Sequence, residues 1–143
     1  MQTRLRIADL LASFSDPDIQ ALLAWATEVV EALTEASFWV DYERELAAAE
    51  LRAGRFRLRT RLSALADCGR WYFPNLQADS VGREKELAYR GVRQPALNAI
   101  IHAFSAVQPL PDETDEQRAQ RAESIVRAKR QFVSEVQAAL QSA

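Results

Sequence analysis

The sequence predicts an all-α protein: four to five helices in an antiparallel bundle, with one long ordered connection at about residues 69–94. Three observations carry that expectation. Apolar residues recur at helical spacing over most of the chain; Gly and Pro number only four and five; and no hairpin signal, strand pair or internal repeat is present. At 143 residues the chain fits one domain, 1–143, and buries enough surface to need no disulfide or metal staple.

A short helix is expected at 3–14, with Leu5, Ala8, Leu11 and Ala12 on one face. Ser15 or Asp16 then caps a helix at about 17–37, where Pro17 suits the first turn and Asp18 complements the helix dipole. Its apolar stripe is Ile19, Leu22, Leu23, Ala26, Val30 and Leu33, flanked by Trp25 and Val29. No Gly or Pro interrupts 18–53, yet an unbroken rod to Asp67 would exceed ~70 Å, too long for a domain of this size. A break is therefore expected near Ser37 to Asp41, where Phe38, Trp39 and Val40 are poor helix formers and Ser37 or Asp41 can cap. The next helix, about 42–67, has Leu51, Leu58, Leu62 and Leu65 as its seam, with Ala47, Ala48 and Phe56 beside it. Gly54 within it suggests a kink or a close crossing, and Gly69 is expected to end it in the left-handed conformation. Pro95 opens a helix at about 95–107 whose buried face is Leu97, Ile100, Ile101, Phe104 and Val107. Pro109 and Pro111 end it, and the caps and acids of 112–116 start a last helix at about 113–140. That helix buries Ala122, Ile125, Phe132, Val136 and Leu140, with Val126 and Val133 alongside.

Charge is unevenly spread. Residues 1–50 carry three Arg against ten acids, whereas residues 51–95 carry ten basic residues against four acids. Either an acidic segment packs beside a basic one within the fold, which is the expectation, or the basic segment offers a surface to an anionic partner; the overall acidity disfavours nucleic acid. No apolar window is long enough to span a membrane, and the first fifteen residues lack a signal-peptide layout. Cys68 is the sole cysteine, which excludes an internal disulfide and a CxxC motif and suits a reducing cytoplasm.

The inventory for catalysis is thin. His102, the only histidine, falls away from the buried face of its helix and has no partner ligand for a metal. Cys68, near Arg70 and a helix end, reads as structural rather than as a nucleophile. Carboxylate pairs such as Glu28 with Glu31 lack an accompanying Glu-x-x-His, and phosphate-loop and nucleophile-elbow motifs are missing. No enzymatic activity, metal or cofactor is implied. Two stretches are unusual. Arg52, Arg55, Arg57, Arg59 and Arg61 lie on one helix, either paired with Glu43, Glu45, Glu50 and the preceding acidic helix or free to meet phosphates. The connection carries Gly69-Arg70-Trp71-Tyr72-Phe73-Pro74-Asn75 and Tyr89-Arg90-Gly91-Val92-Arg93, whose aromatics mostly close the core while leaving a place for an anionic or aromatic ligand. The candidate anion- or ligand-binding set is thus Arg55, Arg59, Arg70, Trp71, Tyr72, Tyr89, Arg90 and Arg93.

GRWYFPN, KELAYRGVRQPALNAI and QFVSEVQAAL, with LLAWATEVVEALTEA before them, resemble an uncharacterised bacterial family of helical proteins. Its motifs are GRW-(Phe/Tyr)-FPN, AYRG-x-R-x-P-x-L and FVSEVQ, and the similarity extends over roughly Ile19 to Leu140. The resemblance implies a helical domain but no catalytic or binding residues. It also implies a single N-terminal transmembrane anchor in many members, where this chain has a short charged stretch with Arg4, Arg6 and Asp9. If relatives are tethered, the arginine-rich helix lies near an anionic inner leaflet. The expected function is a non-enzymatic module for protein–protein contact or assembly, with itself as a homodimer or with another protein. The alternative is a module that binds anions or a membrane surface through the arginine-rich helix and the aromatic connection.

Overall fold

A carboxylate cap starts the first helix in the computed structural model, which describes residues 16–142; the helix expected at 3–14 lies outside the described residues. Asp16 Oδ1 accepts the Asp18 N–H at 2.8 Å and Pro17 occupies the first turn, opening α1 (Pro17–Tyr42). A 3-10 turn at Glu43–Glu45 leads into α2 (Ala48–Gly69). A long connection with a second 3-10 turn at Leu87–Tyr89 follows, then α3 (Pro95–Ala106) and α4 (Asp115–Ser142).

Side-chain pairings give the directions. Glu43 meets Arg121, Thr34 meets Lys129 and Trp25 meets Phe132, so α4 runs antiparallel to α1. Glu35 meets Arg57 while Trp25 reaches Leu65, which sets α2 antiparallel to α1 as well. Arg59 over Phe104 at one end and Gly69 beside Leu97 at the other do the same for α2 and α3. The result is an up-down-up-down four-helix bundle, an all-α fold with no strand among the described residues.

Four expectations need correction. The break between the first two helices falls at 43–47, not at Ser37 to Asp41. Val40 is fully buried and Trp39 packs on Gly54, and this burial outweighs the weak helix propensity of Phe38, Trp39 and Val40. Neither proposed cap acts as one: the buried Ser37 hydroxyl donates to the Thr34 carbonyl, Asp41 is exposed, and α2 starts from an extended Ala47 with no side-chain cap. Second, the core face of α1 is rotated toward Trp25, Val29, Ala32, Leu33, Ala36 and Val40, leaving Ile19, Leu22, Leu23 and Val30 half-buried. Third, Ala47, Ala48 and Phe56 do not flank the seam of α2: Ala47 precedes the helix, both alanines are exposed, and Phe56 is 76% exposed. Fourth, Gly69 is not left-handed. It is the last residue of α2, and a Cβ there would strike Leu97 and Trp25, so glycine is required for space.

Trp25 is the hub of the core. Its Nε1–H donates to the Leu65 carbonyl at 2.8 Å, and its ring meets Tyr72, Phe73 and Phe132 with centroids 5.4, 5.9 and 5.4 Å away. Two of the three consecutive aromatics of the connection thus close the core, as expected, while Trp71 stays outside at 77% exposure.

At the opposite end, one arginine joins four segments. Arg121 donates from Nε to Glu113 at 2.7 Å, from Nη2 to Glu43 at 2.6 Å and Glu113 at 3.0 Å, and from Nη1 to the carbonyls of Ala106 and Val107 at 2.7 and 3.1 Å. Those carbonyls are acceptors left over at the C-terminal end of α3. Arg55 completes the cluster 3.4 Å from Glu43, and Arg44 pairs with Asp115 beside it. Start of α4 is set by a reciprocal cap, in which the Gln117 N–H donates to the Thr114 hydroxyl and Gln117 Oε1 accepts the Thr114 N–H.

Two stability measurements follow. Gly54→Ala gains about 1 kcal/mol of helix propensity, but its methyl group overlaps the Trp39 ring, and overpacking of that kind costs about 1–3 kcal/mol. A net loss is expected in urea melts, and restoration in the double variant with Trp39→Leu; a more stable single variant would show the crossing to be loose. The Glu113 pKa is lowered, first by its hydrogen bond to Arg121, against the opposing effect of burial. A depressed carboxylate pKa adds stability that is full above the unfolded value near ~4.3 and is lost as pH falls through the folded value. Glu113→Gln is therefore expected to cost about 2 kcal/mol at pH 7, with the gap from wild type closing as pH drops below about 4.3. A gap that does not change with pH would sink this assignment.

Candidate functional site

The end of α2 and the connection enclose a cleft of about 420 Å³. Phe73 anchors the near wall by burying its ring against Trp25. The far wall is returned to it by a single antiparallel bridge, in which Leu76 and Val92 exchange N–H···O bonds of 2.9 and 2.6 Å. Gly91 makes that return possible: its φ is +86°, its N–H donates to the Val81 carbonyl at 2.7 Å, and a Cβ there would strike the Leu76 carbonyl oxygen.

Inside the cleft the polar groups are bonded to one another. The Arg70 guanidinium lies 4.6 Å over the Tyr89 ring, donates from Nη1 to Asn75 at 2.7 Å, and sits with Nε 3.7 Å from Asp67. Tyr89 donates its hydroxyl proton to the same Asp67 oxygen at 3.2 Å. The negative charge of Asp67, its hydrogen bond and some desolvation raise the Tyr89 pKa, so the phenol stays protonated and remains a donor. Arg90 Nε donates to the Lys85 carbonyl at 2.7 Å, which fixes the second cation of the wall. The rim is apolar, with Trp71 77% and Leu87 73% exposed.

The structure gathers Arg70, Trp71, Tyr89 and Arg90 at this cleft and places the other four candidates elsewhere. Tyr72 packs inward on Trp25, and Arg93 Nε donates to Asn98 at 2.6 Å. Arg55 is held by Glu43. Arg59 stacks on Phe104, 4.2 Å from its centroid, and donates weakly to that residue's carbonyl at 3.4 Å. Of the rest of the arginine run, Arg57 and Arg61 pair with Glu35, and Arg61 also with Glu31. The acidic-beside-basic packing expected from composition is therefore present between α1 and α2.

Asp67, Asn75 and Leu87 were missed as members of the site. Asp67 three residues before Arg70 was a readable ion-pair spacing; Leu87 gave no signal beyond being apolar in a polar stretch. His102 is exposed, and among the described residues no group of three His, Cys, Asp or Glu side chains is arranged to hold a metal. Among the same residues no helix is long and apolar enough to cross a membrane. Comparison of the chain with family models, curated proteins and solved structures finds no match in any of the three.

Because a side chain at position 91 would strike the Leu76 carbonyl, Gly91→Ala is expected to release the connection while leaving the bundle folded. Amide exchange at Leu76 and Val92 should accelerate by about tenfold or more, with helical circular dichroism unchanged. Unaltered exchange at both amides would remove Gly91 from this role.

Proposed function

We propose that this chain is a non-enzymatic helical module that works by protein–protein contact, with the cleft face as its contact surface. The observation that carries this reading is an exposed indole and leucine on a rigidly braced frame. Trp71, Leu87 and Tyr89 surround a cleft whose arginine is already oriented by Asp67, Asn75 and the Tyr89 ring. Apolar anchors beside a fixed arginine are the composition of interface centres, and prior ordering lowers the entropy lost on binding. The resemblance to the bacterial helical family enters here as part of the proposal. GRWYFPN supplies Arg70, Trp71, Pro74 and Asn75 to the cleft, and AYRGVRQP supplies Ala88, Tyr89 and Arg90.

Catalysis is a weaker reading of the same cleft. Asp67, Arg70 and Tyr89 are committed to each other, and a phenol with a raised pKa is a poor base or nucleophile. The anion- or membrane-binding alternative is left with Arg52, Arg59, Arg90 and Arg93, since Arg55, Arg57 and Arg61 are neutralised by glutamates.

The test uses the intact chain and a variant carrying Trp71→Ala and Leu87→Ala, two exposed positions where truncation alters stability by only about 0.5 kcal/mol. Wild type is expected to bind a protein partner, itself included, at least about tenfold more tightly than the variant once that partner is purified. Equal affinity of the two would overturn the reading. Salt-sensitive sedimentation of wild type with phosphatidylserine vesicles, without any protein partner, would establish the alternative in its place.

A further inference from the structure

The outer face of α2 continues the cleft. Phe56, Thr60, Ser63, Ala64 and Asp67 share one exposed stripe that leads to Trp71 just past the helix end. A second recess of about 460 Å³ lies along it, floored by Arg59 and Phe104, and Asp67 lines both this recess and the cleft. The stripe covers about 22 Å at 1.5 Å per residue. Its ends are large exposed aromatics, Phe56 at 76% and Trp71 at 77%, and its middle is small.

We infer that this face binds a second copy of the chain, in an antiparallel pair of α2 helices about a two-fold axis through Ser63 and Ala64. The inference rests on the protein-contact reading above and names the partner. Three features make the stripe complementary to itself under that symmetry. Small side chains stand at the axis, where two helices come closest. Residues equally far from the axis oppose each other, which sets Phe56 against the second copy's Trp71, so that each indole enters the other's recess beside Phe104. The same operation brings Arg59 and Thr60 to the second copy's Asp67. Arg59 has no carboxylate partner among the described residues, being held only by Phe104. Asp67 offers its second oxygen: Tyr89 and Arg70 both use Oδ1, and the side chain is 54% exposed. Opposite charges thus meet twice, once on each side of the axis, as an isologous contact requires.

The experiment is sedimentation equilibrium of the full chain, whose monomer mass is 16.1 kDa, compared with Ala64→Arg. Arginine is a good helix former at this exposed site, so the variant keeps its fold while placing like charges on the axis. Wild type is expected to sediment as a concentration-dependent dimer, and Ala64→Arg to weaken it by about tenfold or more. A second readout is Ser63→Cys in a Cys68→Ser background, which should form an interchain disulfide under mild oxidation, while Glu123→Cys on α4 in the same background should not. A monomeric wild type, a dimer indifferent to Ala64→Arg, or equal cross-linking from both cysteines would each overturn the proposal. A monomeric wild type that still binds a different protein through Trp71 and Leu87 would overturn only the second-copy inference, leaving the contact surface in place.

Discussion

The bundle depends on the guanidinium of Arg121. A side chain 93% removed from solvent brings a full positive charge into the interior, and such burial is tolerable only when geometry and charge are both matched. Here the match is complete: its five donated bonds end on two carboxylates and two backbone carbonyls. Burial by itself lowers the Arg121 pKa, and the hydrogen bonds to Glu113 and Glu43 more than reverse that, leaving it raised. Because Glu43 follows α1, Ala106 and Val107 end α3, and Glu113 precedes α4, one planar group sets the spacing of three helix termini. Arg55 adds α2 by balancing the second oxygen of Glu43. Replacing Arg121 by an apolar residue would strand two buried carboxylates, so the cluster specifies an arrangement more than it adds net stability.

Along the bundle the constraint is shape. Ala26, Ala32, Ala36, Ala66, Ala96, Ala99, Ala103, Ala122 and Ala128 are buried from one end to the other, which lets helices approach closely between the larger core side chains. At the end away from Arg121, Trp25 fastens Tyr72 and Phe73 to the bundle. Glycines at 54 and 69 extend the same logic, since each exists to admit an indole. The connection then needs little regular structure of its own beyond one 3-10 turn and one bridge, because its two ends are held by packing on Trp25 and by the start of α3.

Much of this was legible because helical spacing is a strong signal over long segments. Leu58, Leu62, Leu65, Leu97, Ile100, Ile125 and Phe132 are buried where the pattern put them. Failures have a common cause, which is that local preference yields to partners distant in sequence. Phe38, Trp39 and Val40 are helical because α2 receives Trp39 and the core receives Val40. Gly69 looked like a terminator and is a contact. Arg121 lies on the stripe of Ile125, Ala128 and Phe132, at spacings of four, three and four, and a charge on a buried stripe is itself a sign of a buried pair. Half of the candidate site was visible as Arg70, Trp71, Tyr89 and Arg90; the convergence with Asp67 and Leu87 required the fold of the connection.

The two ionic centres differ in what they leave over. Around Arg121 every donor of the guanidinium is used and the groups are buried, so nothing remains for another molecule. Around Arg70 the bonds are enough to fix the arginine and the phenol but not to cover them. One oxygen of Asp67 stays open, Trp71 and Leu87 stand in solvent, and an uncovered apolar rim on an ordered frame has an unfavourable free energy that contact with another surface relieves. Residues braced by each other are poorly placed to exchange protons with a substrate, yet well placed to present an unchanging surface. On the proposed reading, this bracing suits recognition, at the face that α2 shares with the connection.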